Sequence, residues 1–211
     1  MKRGKFIAFE GGEGAGKSTQ ARKLAAALEA RGLSCVVTRE PGGTPGAEAI
    51  RALLLDTNGD GWNPRAEALL FAAARSDHVE RLINPAIAAG RWVICDRYID
   101  SSRAYQGGAG GLSDADVLAL HRVGSAGLLP DLTLLIGVSA ETAARRTHAR
   151  DGDVADRIGG RDAAYHARVA AAFDRFASEE PGRFARIDGN GDADTVHAAV
   201  LQALEPLLAD V

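Results

Sequence analysis

The sequence predicts an α/β protein in which a parallel sheet of five strands lies between two layers of helices. Short apolar runs of five to eight residues alternate along the chain with longer stretches whose apolar residues recur at helical spacing. Strands that alternate with helices imply βαβ units, and their right-handed crossovers place helices on both faces of a parallel sheet. Neither an internal repeat nor a domain linker interrupts the 211 residues, so we expect one domain over residues 1–211.

Five apolar runs are the predicted strands. In chain order they are Lys5–Phe9, Leu33–Thr38, Arg91–Cys95, Asp131–Val138 and Arg183–Ile187. Seven predicted helices lie between and after them: Ser18–Arg31, Thr44–Leu55, Pro64–Ala89, Ser113–Gly127, Ala140–Arg150, Arg161–Ser178 and Thr195–Ala209. Gly32 stops the first helix, Ser113 caps the fourth, and Pro85 is where the third would kink.

The composition excludes several classes of protein. Hydrophobic residues make up 46% and charged residues 25% of the chain, which argues against disorder, collagen and coiled coils. The formal net charge of −3 provides no overall basic field for nucleic acids. No stretch approaches the roughly 18 apolar residues of a transmembrane helix. The short apolar run near the N-terminus leads straight into glycines, unlike a signal peptide.

The cysteines also indicate a compartment. Cys35 and Cys95 are the two cysteines of the chain, and both lie in apolar runs. They are expected to be buried free thiols in a reducing compartment. We therefore expect a cytoplasmic protein that has neither a nucleic-acid nor a membrane partner.

A glycine-rich motif follows the first predicted strand and opens the first predicted helix. Residues Gly11, Gly12, Glu13, Gly14, Ala15, Gly16, Lys17 and Ser18, followed by Thr19, match the pattern G-x-x-x-x-G-K-[S/T]. Glycines let the backbone turn tightly and aim N–H groups at an anion, and the helix adds the positive end of its dipole. Lys17 can reach the β- and γ-phosphates, and the Ser18 hydroxyl can bind Mg²⁺. The motif predicts a P-loop NTPase fold, and the base-reading motif of GTPases is missing.

A second phosphate-handling segment ends the third predicted strand. Asp96 at the carboxyl end of a strand beside the phosphate loop can position Mg²⁺, usually through water. Arg97 beside it offers a two-pronged donor for a phosphate. An ordinary surface ion pair is the alternative interpretation of these two residues.

Four segments resemble the motifs of the thymidylate kinase family. They are Thr38–Thr44 (TREPGGT), Leu70–Arg75 (LFAAAR), Val93–Gln106 (VICDRYIDSSRAYQ) and Asp156–Ile158 (DRI), in the family's order. The resemblance extends over residues 5–190, and the first and third segments are its specific part. It implies the nucleoside monophosphate kinase type of the P-loop fold and transfer of the γ-phosphoryl group of ATP to dTMP. The reaction gives dTDP and ADP in dTTP biosynthesis, with Mg²⁺, and the family is usually a homodimer.

The resemblance implies roles for single residues. Phe71 matches the aromatic residue that stacks on thymine, Arg75 the arginine that hydrogen-bonds to the base, and Tyr105 the tyrosine that crowds the sugar 2′ position. Arg97 is implied to hold the phosphate of dTMP, and Glu13 to lie near the 3′ side of the sugar or the metal's water shell. The other implied dTMP contacts are Arg39, Pro41, Arg51, Ser101, Ser102 and Gln106. The residues alone favour a core position for Phe71 and leave Arg39 and Arg51 equally open as surface charges.

The polar stretch at about 148–160 is expected to be a mobile lid. The phosphate loop contains no arginine, so the resemblance implies that Arg146, Arg150 and Arg157 act on ATP from the lid and its flanks. Lys17, Arg97, Glu13 and Arg150 are the predicted catalytic residues, with Arg150 neutralising charge in the transition state. The stretch is slightly longer than the family's pattern, and Gly159 stands where a glutamate often occurs. A solvated charged loop is the alternative. Ile187–Asn190 resembles the loop beside adenine.

Two other functions stay open at the level of the sequence. A P-loop kinase of another nucleoside monophosphate would share the fold and the phosphate loop. A P-loop ATPase or nucleotide sensor would transfer nothing to a small acceptor. Arg75 and Arg97 disfavour the sensor, because a sensor needs no second nucleotide pocket.

Overall fold

The computed structural model describes residues 3–151 and 157–209, with Arg150 and Asp151 described by their backbone alone. In this part of the chain five strands form one parallel sheet in the order β2-β3-β1-β4-β5. The strands are β1 (Phe6–Glu10), β2 (Cys35–Arg39), β3 (Trp92–Asp96), β4 (Leu132–Gly137) and β5 (Phe184–Asp188). Each lies within two residues of a predicted run, and the predicted fold class is confirmed.

Helices cover both faces of the sheet. They are α1 (Lys17–Glu29), α2 (Pro45–Leu55), α3 (Pro64–His78), α4 (Asn84–Ala88), α5 (Ile99–Ser102), α6 (Asp114–Ser125), α7 (Ala140–Asp151), α8 (Ala163–Glu179) and α9 (Ala193–Leu208). Polar side chains accept hydrogen bonds from the first-turn N–H groups of five of them: Thr44, Asn63, Ser113, Asp162 and Asp192. None of the helices in the described ranges is long and apolar enough to cross a bilayer.

The core forms because successive residues of each strand point to opposite faces of the sheet. Ile7 and Phe9 of β1 pack with Leu24 of α1 and Val200 of α9 on one face. Phe6 and Ala8 contribute to a second cluster on the other face with Tyr98, Ile99 and residues of α4 and α6. A third cluster joins α8 to Tyr105 and to the strands β4 and β5. These layers hold the carboxyl ends of β1, β2 and β3 side by side.

The predicted helix from Pro64 to Ala89 contains an irregular turn. The π-helical turn Val79–Ile83 separates α3 from α4, and Pro85 lies in the first turn of α4. Proline has no N–H with which to continue an α-helical ladder, and a wider turn accommodates the change. The irregularity therefore precedes the proline.

One helical segment was not predicted from the sequence. The short helix α5 continues directly into a π-helical segment, Arg103–Ala109. The carboxylate of Glu10, at the end of β1, accepts hydrogen bonds from the backbone N–H of Tyr98 (2.8 Å) and of Ser101 (3.0 Å), and from the Ser101 hydroxyl (2.6 Å). A residue from a distant strand thus satisfies the free N–H groups at the start of this helix, and a local sequence pattern does not reveal such a partner.

The burial of Glu10 makes the stability of the fold depend on pH. Burial, reinforced by the negative charge of Asp100, raises the pKa of Glu10 from 4.5 to about 7. Between these two values the folded protein holds a proton that the unfolded chain releases, so this residue makes stability fall as the pH rises. We expect the free energy of unfolding of the wild type to lose roughly 3 kcal/mol through Glu10 between pH 4.5 and 7, and Glu10→Gln to abolish this decrease.

Urea unfolding of both proteins across this pH range measures the effect. Glu205→Gln, which removes an exposed carboxylate, is the matched control and should keep the wild-type slope. Parallel stability curves for the wild type and Glu10→Gln would contradict the assignment.

Candidate active site

A cavity of about 1000 Å³ opens at the carboxyl ends of β1, β2 and β3. Open α/β sheets bind their ligands at this edge. The predicted site residues that line it are Glu13, Gly14, Ala15, Gly16, Lys17, Ser18, Thr19, Arg39, Pro41, Arg51, Phe71, Arg75, Asp96, Arg97, Ser101, Ser102, Tyr105, Gln106 and Arg146. Among the predicted residues whose side chains are described, Gly11, Gly12 and Arg157 do not line it, and the side chain of Arg150 lies outside the described residues.

The phosphate loop has a backbone conformation that glycine adopts most readily. Gly11, Gly14 and Gly16 have φ angles of 135°, 69° and 90°. A Cβ atom at Gly11 would also lie 2.3 Å from the carbonyl oxygen of Ile136, and one at Gly14 would lie 2.5 Å from that of Ala143. The glycines therefore let the loop pack against β4 and α7 while it leads into the N-terminus of α1, which favours anions.

Lys17 lies over this loop. Its Nζ donates hydrogen bonds to the carbonyl oxygens of Gly12 (2.7 Å) and Gly11 (3.1 Å). Burial, together with the positive charge of Arg97, lowers the pKa of Lys17 to about 8. A phosphate group beside the ammonium would raise this pKa again, because it brings negative charge into a buried site. Lys17 is thus suited to bind an anionic ligand.

Ser18 and Asp96 meet where α1 begins and β3 ends. The Ser18 hydroxyl donates a hydrogen bond to Oδ2 of Asp96, and both residues line the cavity. Among the described residues, no three His, Cys, Asp or Glu side chains cluster so as to hold a metal. One hydroxyl and one carboxylate therefore form a small set of oxygen ligands. Such a set fits Mg²⁺, which keeps water and phosphate oxygens as its other ligands.

Arg97 joins the phosphate loop to the start of α5. Its Nη1 donates to the carbonyl oxygen of Gly11 (3.1 Å) and to Oγ of Ser101 (3.1 Å), and its Nη2 donates to Oε1 of Glu13 (2.5 Å). The guanidinium lies 5.0 Å from the ring centre of Tyr105. Its φ of 70° is strained for a residue other than glycine, and such strain concentrates at functional sites.

The wall opposite the phosphate loop is formed by α3. Phe71 is half-buried, lines the cavity and belongs to none of the buried core clusters, so the core position that the residues alone favoured is wrong. Arg75 lies one turn further on the same face of the helix. An aromatic ring and a guanidinium therefore face the cavity together, as a planar base with a carbonyl acceptor would require.

Arg75 is oriented by a buried network. Its Nε donates to Oε2 of Glu40 (2.7 Å), and its Nη2 donates to Oγ of Ser102 (2.8 Å). His78 lies between Oε1 of Glu40 (3.1 Å) and the hydroxyl of Thr38 (2.7 Å). All five side chains are nearly or fully buried, so the carboxylate balances the charge of Arg75 inside the protein.

Other residues predicted to contact dTMP surround this wall. Arg51 donates to the carbonyl oxygen of Pro41 (2.8 Å), whereas the more exposed Arg39 donates to both carboxylate oxygens of Glu48 (3.2 Å each). Nε2 of Gln106 donates to Glu67. Tyr105 is buried, and its hydroxyl has no hydrogen-bond partner in the described part of the chain. The Tyr105 ring lies beside the Arg97 guanidinium at the edge of the cavity.

The two described arginines around the predicted lid lie in different places. Arg146 donates to the carbonyl oxygens of Gly189 and Gly191 (2.9 Å each) and lines the cavity near the phosphate loop. Arg157 instead donates to the carbonyl oxygens of Asp56 (2.6 Å), Asn58 (2.8 Å) and Gly59 (3.1 Å), in the loop between α2 and α3. Its predicted contact with ATP stays a prediction.

Sequence reasoning missed four buried residues that hold the site residues in place: Glu10, Glu40, His78 and Glu67. Glu40 lies inside the TREPGGT segment, which offered a signal. Glu67 lies one helical turn before Phe71, so a charged residue on the face that carries Phe71 and Arg75 was also a signal. Glu10 and His78 lie in apolar or helical stretches where only the tertiary structure reveals their partners.

The chain is similar to known thymidylate kinases over nearly its whole length. A family model described as thymidylate kinase matches residues 9–200. A thymidylate kinase of Rhizorhabdus wittichii is 58% identical over 205 residues, covering 97% of this chain and 99% of that protein. A thymidylate kinase of Caulobacter vibrioides is 48% identical over 200 residues, covering 95% of both chains.

A solved structure agrees with these similarities. The crystal structure of thymidylate kinase from Ehrlichia chaffeensis is 31% identical, covers 96% of this chain and 100% of that chain, and superposes with a TM-score of 0.78. The chain has a P-loop that Arg97 joins to the wall of Phe71 and Arg75, and the sequence similarity spans both parts: the chain belongs to the thymidylate kinase family.

Proposed function

We propose that this protein transfers the γ-phosphoryl group of ATP to dTMP, giving dTDP and ADP, in the synthesis of dTTP. Membership of the thymidylate kinase family makes it an ATP-dependent phosphotransferase. The observation that carries the assignment is that one cavity contains both a phosphate loop and a wall of Phe71, Arg75 and Ser102, with Arg97 between them. A donor and an acceptor nucleotide can thus meet in one space, which an ATPase or sensor does not need.

The acceptor binds between α3 and the segment after β3. Phe71 stacks on thymine, and Arg75 donates a hydrogen bond to O4 of the base. The Ser102 hydroxyl accepts a hydrogen bond from the same guanidinium. Arg97 holds the phosphate of dTMP and exchanges part of its present contact with Glu13 for that phosphate. The buried ring of Tyr105 limits the space beside the sugar. Further contacts come from Arg39, Pro41, Arg51, Ser101 and Gln106, which line the same cavity.

The donor binds at the phosphate loop. The N–H groups of residues 11–19 and the N-terminus of α1 hold the phosphates, and Lys17 releases its loop carbonyls to reach the β- and γ-phosphates. Ser18 and Asp96 would hold Mg²⁺, which neutralises phosphate charge when it is bound with ATP. Arg146 and the loop Ile187–Asn190 flank the adenine side. Phosphoryl transfer then needs alignment and charge neutralisation, with no covalent intermediate.

A single domain with a lid at about 148–160 completes this proposal. Arg150 supplies transition-state charge from the lid, since the phosphate loop has no arginine of its own. Residues 152–156 lie outside the described residues. On the side nearest α8, Arg157 donates hydrogen bonds to carbonyl oxygens of the loop between α2 and α3.

The proposed homodimer is supported by exposed apolar side chains on neighbouring helices. Leu53 of α2, Leu69 of α3 and Val123 of α6 are each more than half exposed, and α3 packs against both other helices. A second copy of the chain would cover them. The cytoplasmic location predicted from the sequence stays a prediction.

A coupled assay of ADP release across dTMP, dUMP, UMP, AMP and GMP tests the function. We expect kcat/KM to be highest for dTMP and to fall about tenfold or more for dUMP, because one methyl group in an apolar pocket has that effect. ATP hydrolysis that is steady and independent of every acceptor would show an ATPase. A preference for another monophosphate would replace dTMP as the acceptor.

Two substitutions of Arg97 separate the effect of its charge on dTMP binding from the effect of its positive φ on stability. Loss of charged hydrogen bonds to a phosphate should raise the KM for dTMP roughly 10- to 100-fold in Arg97→Ala, with little change in the KM for ATP. Arg97→Gly should show the same rise in the KM for dTMP. Its free energy of unfolding, measured in urea, should exceed that of Arg97→Ala by up to about 1 kcal/mol, because glycine adopts the positive φ without strain. A change confined to the KM for ATP would move Arg97 to the donor site.

The lid arginines can be distinguished by paired variants. Arg150→Ala should lower kcat roughly 100-fold and leave ATP affinity, measured by calorimetry, nearly unchanged, because it acts in the transition state. Arg157→Ala should keep kcat within severalfold, because that guanidinium is bound to the loop between α2 and α3. The reverse pattern would assign the catalytic cation to Arg157, and two unaffected variants would remove it from the lid.

A further inference from the structure

The carboxylate of Glu67 lies between the acceptor cavity and the start of α8. Glu67 is in the first turn of α3, and only 5% of its surface is exposed. Its Oε1 accepts a hydrogen bond from Nε2 of Gln106 at 2.9 Å, and its Oε2 accepts one from Nη2 of Arg161. Gln106 lines the acceptor cavity, whereas Arg161 lies just before α8. Glu67 therefore links a residue that can touch the acceptor to one that cannot.

Arg161 is held firmly at the far end of this link. Its guanidinium lies 4.6 Å from the ring centre of Tyr165 and donates to the Tyr165 hydroxyl. That hydroxyl donates in turn to the carbonyl oxygen of Tyr105 at 2.7 Å. The arginine is thus fixed against α8 and against the backbone of the residue that precedes Gln106.

The direction of the hydrogen bonds in this link is determined by chemistry. A guanidinium donates and never accepts, and the carboxylate paired with it only accepts. Gln106 must therefore turn its NH₂ group toward Glu67, as it does. Within the described part of the chain no group donates to the carbonyl oxygen of Gln106, so this oxygen is the acceptor that the side chain offers to a ligand.

We infer that Glu67 is a positioning residue that contributes to the pyrimidine preference of the acceptor site, beside Arg75, by holding Gln106 with its carbonyl oxygen toward the N3–H group of thymine. The inference rests on the proposed function, in which dTMP is the acceptor. Thymine donates a hydrogen bond from N3, whereas cytosine has a lone pair there. A fixed carbonyl oxygen attracts the first ring and repels the second, which gives specificity through a mismatch as well as a match.

Glu67→Gln should reverse the polarity of the link. Arg161 still requires an acceptor, so the introduced amide turns its oxygen to Arg161 and its NH₂ group to Gln106. Gln106 must then flip, accept that hydrogen bond and present its own NH₂ group to the base. The variant keeps the size and shape of the side chain while it changes the group that reads N3.

The experiment compares dTMP with 5-methyl-2′-deoxycytidine 5′-monophosphate, which keeps the methyl group, sugar and phosphate. In Glu67→Gln the ratio of kcat/KM for dTMP to that for the cytosine analogue should fall roughly tenfold, because one hydrogen bond is lost to one substrate and gained by the other. Part of the change should be a gain for the cytosine analogue, which structural damage cannot produce. Glu80→Gln, which removes an exposed carboxylate, is the control and should match the wild type.

A double variant provides an independent test and carries the proposal where the single variant does not fold. In Glu67→Gln combined with Gln106→Glu, the introduced amide donates to one oxygen of the introduced carboxylate, whose other oxygen accepts from N3–H. The preference for dTMP should return to within about threefold of the wild-type ratio. Gln106→Glu alone, with two facing carboxylates, should not preserve it.

Two outcomes would overturn the inference. One is an unchanged substrate ratio in Glu67→Gln, and the other is an equal loss for both substrates, which would show a merely structural role. These outcomes differ from failure of the proposed function, because in that case the wild-type enzyme itself would not phosphorylate dTMP.

Discussion

The buried carboxylate of Glu10 holds together the two halves of the active site. It stands at the end of β1, directly before the phosphate loop, and it accepts three hydrogen bonds from Tyr98 and Ser101 after β3. Arg97, immediately before this turn, consequently lies against Gly11 and Glu13 of the phosphate loop. Because a buried acid without partners costs several kcal/mol, the turn and the strand end stabilise one another. The donor and acceptor sites are adjacent for this reason.

Positively charged side chains face the cavity, and carboxylates pair with two of them. Lys17, Arg75, Arg97 and Arg146 face a cavity that must accept two anionic nucleotides. The buried glutamate Glu40 lies on the protein side of Arg75, and the partly exposed Glu13 pairs with Arg97. This arrangement keeps the guanidinium in one orientation without a bound ligand, so that little rearrangement is needed when the substrate arrives.

In such networks the direction of each hydrogen bond also fixes the orientation of the next side chain. Arginine can only donate and a paired carboxylate can only accept, so each arginine–glutamate pair determines how the next side chain must turn. The pair of Glu40 with Arg75 leaves donors toward the cavity, whereas the pair of Arg161 with Glu67 leaves an acceptor on Gln106. Opposite polarities on neighbouring positions suit a ring that alternates carbonyl and N–H groups.

Elements of the structure that have local signals could be predicted from the amino-acid sequence. Apolar runs located all five strands, polar caps such as Ser113 located helix starts, and the glycines of residues 11–16 located the phosphate loop, because backbone conformations of positive φ need glycine. The family motifs pointed to Phe71, Arg75 and Arg97 without showing how they meet.

Features that depend on partners distant in the chain could not be predicted and become visible in the fold. The helix after β3 is held at its start by Glu10, the position of Phe71 on the cavity wall depends on how α3 packs, and Arg157 bonds to carbonyl oxygens about a hundred residues away. Burial and hydrogen bonding between remote segments leave no periodicity or spacing in the sequence, because they arise when the sheet brings strand ends together. The sequence places Glu67 on the helix face of Phe71 and Arg75, but its hydrogen bonds to Gln106 and Arg161 are visible only in the folded structure.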